Sequence, residues 1–279
     1  MKEKAWAKVN FHLDVLKRRV DNYHDLEMVM APLALHDVLT FKKLNEDTIK
    51  ITESVQTCDT PEDNIAYKVA NYLKTTFNIK EGIHIHIEKH IPIAAGLAGG
   101  SADAAATLRG MNKLFKLKMT LEQLADIGEK FGADIPFCVH SRLCIARGKG
   151  EQLFFLKRKL NIPVLLVTPD LGVSTKEIFS LVDMKDIKNV KITTMTNAIY
   201  NKNYDLIAQA LYNALEPFAF QKYPEIESLK RHLESEQLDG VVMSGSGPTV
   251  VAIDKDKKKL RDVSLKYQED FQIHLSKIT

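Results

Sequence analysis

A glycine-rich loop that leads directly into an alanine-rich stretch constrains the fold of this chain more than any other sequence feature. Residues 92–108 read PIAAGLAGGSADAAATL. Gly96, Gly99 and Gly100 allow positive φ angles and a close approach of the main chain to a ligand. Ser101 then opens a predicted helix over residues 101–115, and the free N–H groups at such an opening favour an anion. The segment therefore predicts a phosphate-binding loop.

Two common phosphate loops are excluded by the residues at the end of this segment. A Walker loop ends in Gly-Lys-Ser/Thr, whereas Gly99-Gly100-Ser101 contains no lysine. The dinucleotide pattern G-x-G-x-x-G does not match either. A packing loop, where a helix crosses closely over strands, stays the alternative. The run Gly-Leu-x-Gly-Gly-Ser before a small-residue helix is nevertheless more specific than glycine content alone.

Charge and composition exclude several classes of protein. The 279 residues carry 39 Lys and Arg against 36 Asp and Glu, and the formal net charge of +3 is too small to indicate a nucleic-acid partner by itself. Cys58, Cys138 and Cys144 lack metal-ligand spacing and indicate reduced thiols. No apolar run approaches the ~18 residues that span a bilayer, and the charged start lacks the apolar centre of a signal peptide. We expect a cytoplasmic protein that binds neither nucleic acid nor membrane.

Hydrophobic periodicity predicts strands and helices in a mixed order, without a regular βαβ repeat. The first segment alternates between apolar residues and the polar Lys8, Asn10, His12 and Asp14, which is typical of a half-buried strand. Further strands are predicted at residues 27–41, 50–55, 83–87, 163–168, 240–243, 249–253 and 271–275. Helices after residue 200 are predicted at residues 204–214, 225–233 and 257–267. This order favours an α+β layered fold over a doubly wound one.

Capping residues predict where two more helices start. Asp63 is the predicted cap of a helix with apolar residues at positions 65, 69, 73 and 77. Thr120 and Gln123 form a predicted capping box for a helix that ends at Phe131-Gly132. A new strand–helix series begins near residue 157, so we expect a domain boundary between residues 155 and 160.

Four motifs in order carry a resemblance to a known family. They are AKVNFHLDVLKRRVDNYH near the start, the glycine-rich loop, GADIPF, and MSGSGPTV near the end. Over nearly the whole chain they resemble the GHMP kinase superfamily, which includes galactokinase and the homoserine, mevalonate and phosphomevalonate kinases. The resemblance implies a two-lobed α+β fold. Residues 1–157 would be an ATP-binding domain like the second domain of ribosomal protein S5, and residues 158–279 a ferredoxin-like C-terminal domain.

The resemblance also implies that Lys8 and Asp134 are the catalytic pair. Phosphoryl transfer to an alcohol needs a hydroxyl held in line with the γ-phosphate and an acceptor for its proton, which a carboxylate supplies. A nearby ammonium offsets the charge that develops on the oxygens. Taken singly, Asp134 is typical of a turn or helix cap before Pro136, and Lys8 of a solvated strand residue. These alternatives stay open.

Within the superfamily, the chain is most similar to the branch that phosphorylates the 2-hydroxyl of a cytidyl diphosphate ester of methylerythritol, in the non-mevalonate route to isoprenoid precursors. The implied substrate residues are Asn10 for the sugar alcohol, Tyr23 and His24 for the cytosine base, and Phe179 for the other face of the base. Stacking on an aromatic ring contributes ~1–3 kcal/mol per base. Asn22 stands where the family usually has glycine, and asparagine tolerates positive φ better than most residues. The alternative for Tyr23 and His24 is a surface turn, and the alternative for Phe179 is a helix core position.

The implied cofactors are ATP and Mg²⁺, with the metal held mostly by phosphate oxygens. We expect a monomer or a homodimer. Two alternatives remain: a superfamily kinase acting on another small alcohol, against which the Tyr23-His24 pair argues, and a nucleotide-binding homologue without catalytic activity. The implied ATP site is the glycine-rich loop, which here means Pro92, Ile93, Ala94, Ala95, Gly96, Leu97, Ala98, Gly99, Gly100, Ser101 and Ala102.

Other patterns indicate no special chemistry. His84 and His86 alternate with isoleucines, and a polar strand face is favoured over a metal pair because no third ligand is placed nearby. The lysines at positions 257–259 are typical of a solvated helix start. Residues 147–151 predict a hairpin turn. Residues 244–250, SGSGPTV, predict a tight turn between two strands that lies near the phosphate loop.

Overall fold

The structure, a computed structural model, describes residues 1–279 and has the predicted α+β class. The strands are β1 (Lys2–Arg18), β2 (His24–Leu44), β3 (Ile49–Glu53), β4 (Gly82–Glu88), β5 (Cys144–Gly148), β6 (Gln152–Phe155), β7 (Pro163–Thr168), β8 (Tyr212–Asn213), β9 (Gly240–Met243), β10 (Val250–Ile253) and β11 (Gln272–Lys277). The helices are α1 (Ile65–Thr76), α2 (Gly99–Leu114), α3 (Leu121–Glu129), α4 (Ile135–His140), α5 (Thr175–Leu181), α6 (Thr193–Tyr200), α7 (Tyr204–Gln209), α8 (Glu216–Lys222), α9 (Pro224–Ser235) and α10 (Lys257–Tyr267). No helix combines the length and apolar composition needed to span a bilayer.

Local sequence patterns account for most of these elements. The predicted bounds of β7, β9 and α10 are confirmed. The capping box of α3 is also confirmed, because the Thr120 side chain accepts a hydrogen bond from the Gln123 main chain while the Gln123 side chain accepts one from the Thr120 main chain. Alternating isoleucines form the predicted strand β4, and Ile83, Ile85 and Ile87 are fully buried.

Three local predictions are wrong. The cap of α1 is Asn64, whose side chain accepts from the Ala66 N–H, because Asp63 belongs to the preceding 3-10 turn. Helix α2 begins two residues before Ser101, at Gly99. The helix expected over residues 204–214 ends at Gln209, and strand β8 follows, because Tyr212 and Asn213 pair with β1. This last pairing joins residues far apart in the sequence, so no local pattern predicts it.

The chain forms two compact units, each built from more than one stretch of sequence. Unit 1 consists of Met1–Ala7, Leu35–Ile93 and Ala98–Ser141. In it, β4 pairs with the end of β2 in antiparallel orientation and with β3 in parallel orientation. Helices α1, α3 and α4 pack against α2. The side chains of α2 that are buried include a run of alanines, and small side chains allow this close packing.

Unit 2 consists of Lys8–Ala34, Ala94–Leu97 and Arg142–Thr279. Strands β11, β7, β10 and β9 form an antiparallel sheet in that order, covered by α9 and α10. The hairpin of β5 and β6, which the sequence predicted, pairs with the beginning of β2, and β8 pairs with β1 in parallel orientation. The predicted domains, residues 1–157 and 158–279, describe sequence domains rather than compact units, and their boundary stays a prediction.

Candidate active site

The polar face of β1 is buried, so the prediction of a half-buried strand is wrong. Lys8, Asn10, His12 and Asp14 are each no more than 4% exposed. Because side chains alternate along a strand, these four lie on one face. The alternative that Lys8 is a solvated strand residue is excluded. Buried polar groups require partners, so the contacts of this face in unit 2 define what it does.

Lys8 is held by neutral groups. Its Nζ donates a hydrogen bond to Oδ1 of Asn10 over 2.7 Å, and its main-chain N–H donates to the carbonyl of Leu97 over 3.2 Å. Asn10 in turn directs its amide nitrogen at Sδ of Met28, at 3.3 Å. The structure therefore brings Lys8 and Asn10 together, with the ammonium bonded to an uncharged oxygen.

The Ser-Gly turn, residues 244–248, packs against both Lys8 and the glycine-rich loop. A Cβ added to Gly245 would lie 3.1 Å from Nζ of Lys8 and 3.2 Å from the carbonyl oxygen of Gly96. A Cβ on Gly96 would lie 2.2 Å from the carbonyl oxygen of Ser244, whose hydroxyl donates to the Gly96 carbonyl over 3.0 Å. The prediction that this turn lies near the loop is confirmed. Glycine is required at position 96, and a larger residue at position 245 would have to displace Lys8.

Asn213 anchors the Ser-Gly turn, and sequence reasoning missed it. Its amide nitrogen donates to the carbonyls of Met243 and Gly245, each over 2.7 Å, and its Oδ1 accepts from the Leu215 N–H. The residue is 2% exposed. An isolated asparagine in a predicted helix carries no signal of this role, because the role depends on the pairing of β8 with β1.

His24 and Phe179 form a stacked pair. Their ring centroids are 5.4 Å apart and their planes differ by 26°. His24 is buried, its Nε2 has no hydrogen-bond partner, and burial together with the charge of Arg18 lowers its pKa. Tyr23 is 59% exposed and lies under Nζ of Lys149, which is 5.3 Å from the ring centroid. The structure thus joins two predicted base-binding residues and leaves the third open to solvent.

The turn before this pair has the conformation that the sequence predicted. Asn22 has a φ of 65°, in the left-handed region that the family's usual glycine would adopt without strain. Asparagine is one of the few other residues that adopt this conformation readily. The departure from the family pattern at Asn22 therefore leaves the turn intact.

His12 and Asp14 hold a segment that sequence reasoning did not connect to β1. The main chain of Val190 makes hydrogen bonds with both side chains. Burial lowers the pKa of His12, although Glu27 and the bond to Val190 oppose this shift, and burial raises the pKa of Asp14. Nε2 of His12 has no partner, and its ring lies 5.4 Å from that of Tyr212. These contacts fix the segment between α5, which carries Phe179, and α6.

In unit 1, the first turn of α2 is free to bind an anion. Ala98 is the N-cap residue, in the left-handed conformation, and no side chain caps the helix. No acidic residue lies in the first turn. The first N–H groups of a helix have no intrahelical acceptor, and this helix of 16 residues contributes a positive dipole end. These features fit a phosphate group.

The positive φ angles of the glycine-rich loop do not follow the glycines as expected. They occur at Ala94, Gly96 and Ala98, with φ of 50°, 72° and 57°, whereas Gly99 and Gly100 are helical. Gly99 is closely packed instead, because a Cβ there would lie 3.2 Å from Cγ2 of Ile91. Two alanines therefore carry the strained conformations that the sequence assigned to glycines.

Asp134 precedes α4 but does not cap it with its side chain. It is the N-cap residue by position, makes no side-chain cap hydrogen bond, and has its carbonyl bonded to the Cys138 N–H over 3.0 Å. The carboxylate is half-buried. The capping alternative is therefore wrong, and the carboxylate has no local structural role in this turn.

The structure brings the predicted residues together in two sets. Within unit 2, Lys8 and Asn10 adjoin Gly96 and the Ser-Gly turn, while His24 stacks on Phe179. Unit 1 contains Asp134 and the first turn of α2. The pairing of Lys8 with Asp134 stays a prediction.

Comparison with known proteins follows the same motifs. The family of GHMP kinases N terminal domains matches residues 64–142, and the family of GHMP kinases C terminal domains matches residues 195–273. A protein of Staphylococcus aureus strain MRSA252 named "Putative 4-diphosphocytidyl-2-C-methyl-D-erythritol kinase" is 40% identical over 261 residues, which cover 94% of this chain and 93% of that protein. The protein of strain Newman that bears the same name has the same identity and coverage.

Solved structures confirm the fold over the whole chain. A crystal structure of 4-(cytidine 5'-diphospho)-2C-methyl-D-erythritol kinase superposes with a TM-score of 0.85 at 28% identity and covers 100% of this chain and 99% of its own. Homoserine kinase from Cytophaga hutchinsonii gives a TM-score of 0.74 at 16% identity, covering 99% of this chain and 95% of its own. L. major mevalonate kinase gives 0.76 at 15% identity, covering 100% and 96%. The last two matches show the fold alone.

Proposed function

The chain belongs to the GHMP kinases, and from this membership we propose that it transfers the γ-phosphoryl group of ATP to the 2-hydroxyl of 4-diphosphocytidyl-2-C-methyl-D-erythritol. The relatives that bear this substrate's name match the chain at 40% identity across nearly its whole length. The single geometric observation that carries the proposal is that the Ser-Gly turn packs against both Lys8 and Gly96. It places an ammonium beside the main chain of a loop suited to phosphate.

Phosphate binding is assigned to the glycine-rich loop. The uncapped first turn of α2 offers N–H groups, and glycine at position 96 lets the loop pack against the main chain of the Ser-Gly turn. These groups would bind the polyphosphate of ATP. Mg²⁺ would accompany the nucleotide, held by phosphate oxygens and water, which is how proteins commonly bind it. The structure has no group of three or more His, Cys, Asp or Glu side chains that could hold a metal ion.

Lys8 and Asp134 are assigned the chemical step. The Asp134 carboxylate would accept the proton of the substrate hydroxyl, and its freedom from capping leaves both oxygens available for this role. The Lys8 ammonium would offset charge on the transferred group, because its partner Asn10 is neutral and does not cancel that charge. Positioning and electrostatic stabilisation account for most of the rate enhancement in reactions of this class.

Base recognition distinguishes this substrate from the small alcohols of other GHMP kinases. His24 presents an unpartnered Nε2, and its lowered pKa favours the neutral ring, which can exchange hydrogen bonds with the polar edge of cytosine. Tyr23 and Phe179 would stack on the ring, and Asn10 would contact the sugar alcohol. Homoserine and mevalonate have no base to occupy these residues.

The experiment that tests this function is an ADP-release assay with ATP, Mg²⁺ and one acceptor at a time. We expect release with 4-diphosphocytidyl-2-C-methyl-D-erythritol, none above background with homoserine or mevalonate, and competition by CMP and CDP. Release with a small alcohol, together with no inhibition by CMP or CDP, would instead identify this chain as a superfamily kinase that acts on that alcohol. Absence of release with every acceptor, despite ATP binding, would identify a homologue that has lost catalysis.

The setting of the reaction is part of the same proposal. We propose a cytoplasmic enzyme, since none of the three cysteines forms a disulfide bond. We also propose that it is a monomer or a homodimer. Gel filtration with light scattering would give the assembly state directly.

A further inference from the structure

Unit 1 contains a buried cluster of three charged side chains that the reaction does not use. Asp37 lies on β2, Lys89 follows β4, and Asp103 lies on the second turn of α2. Nζ of Lys89 is 2.6 Å from Oδ2 of Asp37 and 2.7 Å from Oδ2 of Asp103. The three side chains are 0%, 6% and 5% exposed, in chain order. We call them the carboxylate–lysine cluster.

The cluster touches the chain on both sides of the glycine-rich loop. Oδ1 of Asp37 accepts hydrogen bonds from the N–H groups of His90 and Ile91, over 2.5 and 2.8 Å, immediately before the loop. Asp103 belongs to the helix that the loop enters, and Nζ of Lys89 lies 3.5 Å from where a Cβ of Gly99 would be. Lys89 therefore joins the anchor before the loop to the helix after it.

We propose that Asp37, Lys89 and Asp103 are positioning residues that clamp the two ends of the glycine-rich loop and thereby align the first-turn N–H groups of α2 for ATP. The clamp acts through the main chain and does not touch the reacting atoms. It rests on the function proposed above only in that the bound phosphate belongs to ATP. Burial explains why the clamp is rigid, because hydrogen bonds from a buried ammonium to buried carboxyl groups hold a fixed geometry.

The charge balance of the cluster makes this role measurable. Two carboxylates share one ammonium, and Oδ1 of Asp103 has no partner. Burial raises the pKa of Asp103 to about 8, with the attraction of Lys89 opposing the shift and the charge of Asp37 adding to it. The charged groups that act most strongly on Asp103 are Lys89, which follows β4, and Asp37, on β2.

A change of charge at Asp103 should alter ATP binding. Near neutral pH the cluster is neutral, with a proton on Asp103. Above pH 8 it gains a negative charge about one helical turn from the N–H groups that bind phosphate. Such a charge opposes the binding of an anion. The wild-type KM for ATP should therefore rise with pH above 8, by up to about tenfold per pH unit.

The test compares three variants for ATP binding by calorimetry and for ATP kinetics between pH 6.5 and 9.5. Asp103→Asn cannot gain the charge, so we expect its KM for ATP to stay level where the wild-type value rises. Lys89→Met removes the link between the anchors, so we expect at least a tenfold rise in KM for ATP with a change of kcat below about threefold. Lys43→Met is the matched control, because it removes an exposed ammonium of β2 that pairs with Glu81. It should behave as wild type.

Each outcome decides for or against the clamp. A parallel rise of KM with pH in Asp103→Asn and wild type would overturn the proposal, as would wild-type ATP affinity in folded Lys89→Met. If circular dichroism shows that Lys89→Met does not fold, the Asp103→Asn pH profile and the more conservative Lys89→Arg, expected to recover most ATP affinity, decide instead. ATP binding is read without an acceptor, so failure to phosphorylate the cytidyl substrate would overturn the proposed function while leaving the clamp measurable.

Discussion

Two buried lysines in this protein sit in opposite electrostatic surroundings. Lys8, in unit 2, donates to the neutral amide oxygen of Asn10 beside the main chain of the Ser-Gly turn. Lys89, in unit 1, lies between the carboxylates of Asp37 and Asp103. Burial opposes the charged form of Lys89, but the two carboxylates attract it more strongly and raise its pKa. The charge of Lys89 is thus compensated by carboxyl groups of the protein, whereas the charge of Lys8 is left available to interact with a ligand.

Two aspartates of unit 1 also differ in their surroundings. Asp103 is buried and bonded to Lys89, and burial raises its pKa to about 8. Asp134 is half-buried and makes no cap hydrogen bond at the start of α4. A carboxyl group bonded to a buried ammonium stabilises structure, and one without such a bond can act on a substrate. The following predictions test this distinction, beginning with the largest expected effect.

Asp134→Asn should lower kcat by about 10²–10⁴, because an amide cannot accept the hydroxyl proton. The melting temperature should change little, since the carboxylate caps nothing. Steady-state kinetics and thermal unfolding of the same preparation measure both. Near-normal turnover in this variant would remove Asp134 from the chemical step and break the comparison with Asp103.

Lys8→Gln should lower kcat by about 10²–10³ through loss of the ammonium at the transferred group. It leaves no buried carboxylate uncompensated, so the fold should persist, in contrast to Lys89→Met, whose loss should appear in stability and in KM for ATP. Kinetics and circular dichroism on the two variants side by side measure the contrast. Equal effects on kcat would show that the two lysines do not differ in role.

Gly245→Ala should lower kcat/KM by about tenfold to a hundredfold, because it displaces Lys8 without removing it. The residue has a φ of +57°, and an added Cβ would lie 3.1 Å from Nζ of Lys8. Gly172→Ala, in the same unit, is the control, because its Cβ would meet nothing closer than 3.8 Å. If both variants keep wild-type kinetics, the close packing around Lys8 is not needed for activity.

Phe179→Ala should raise KM for the cytidyl substrate by about tenfold, through loss of a stacking surface, and leave KM for ATP unchanged. Phe154→Ala removes an aromatic ring that is 51% exposed and serves as the control. The measurement is the KM of each variant for both substrates. An equal rise for both substrates would indicate a general loss of structure rather than of base recognition.

The pH dependence of stability should separate wild type from Asp103→Asn by a few degrees in melting temperature. The folded protein keeps the proton of Asp103 up to about pH 8, whereas an unfolded aspartate, with a pKa of 3.8, releases it much earlier. The folded state therefore binds the extra proton in this window, and the free energy of unfolding falls as pH rises from about 4 to about 8. Melting curves at pH 5 and 8 should show a larger fall for wild type. An identical fall in melting temperature for the two proteins would show that Asp103 is not the group that holds the extra proton.

Prediction from the sequence succeeded where a few neighbouring residues decide the structure. The capping box of α3 depends on Thr120 and Gln123 alone, and the isoleucines of β4 alternate as any half-buried strand requires. The motifs carried the family and the fold, which the comparisons confirm. The left-handed turn at Asn22 also followed from the residue type.

Contacts between distant segments could not be predicted from the sequence. Lys89 is bonded to Asp37, 52 positions earlier in the chain, and to Asp103, 14 positions later. No local pattern marks these three residues as partners. Strand β8 replaced part of a predicted helix for the same reason, and with it the role of Asn213 was missed.

The sequence by itself indicated the inventory of reactive groups: a glycine-rich loop that leads into a helix, a glycine-dense turn, a lysine on the first strand and an aspartate before Pro136. Tertiary structure alone decided which of these groups are satisfied by the protein and which are not. The physical reason is that the free energy of a buried charge depends on the groups around it, and those groups come from segments that the chain brings together only on folding.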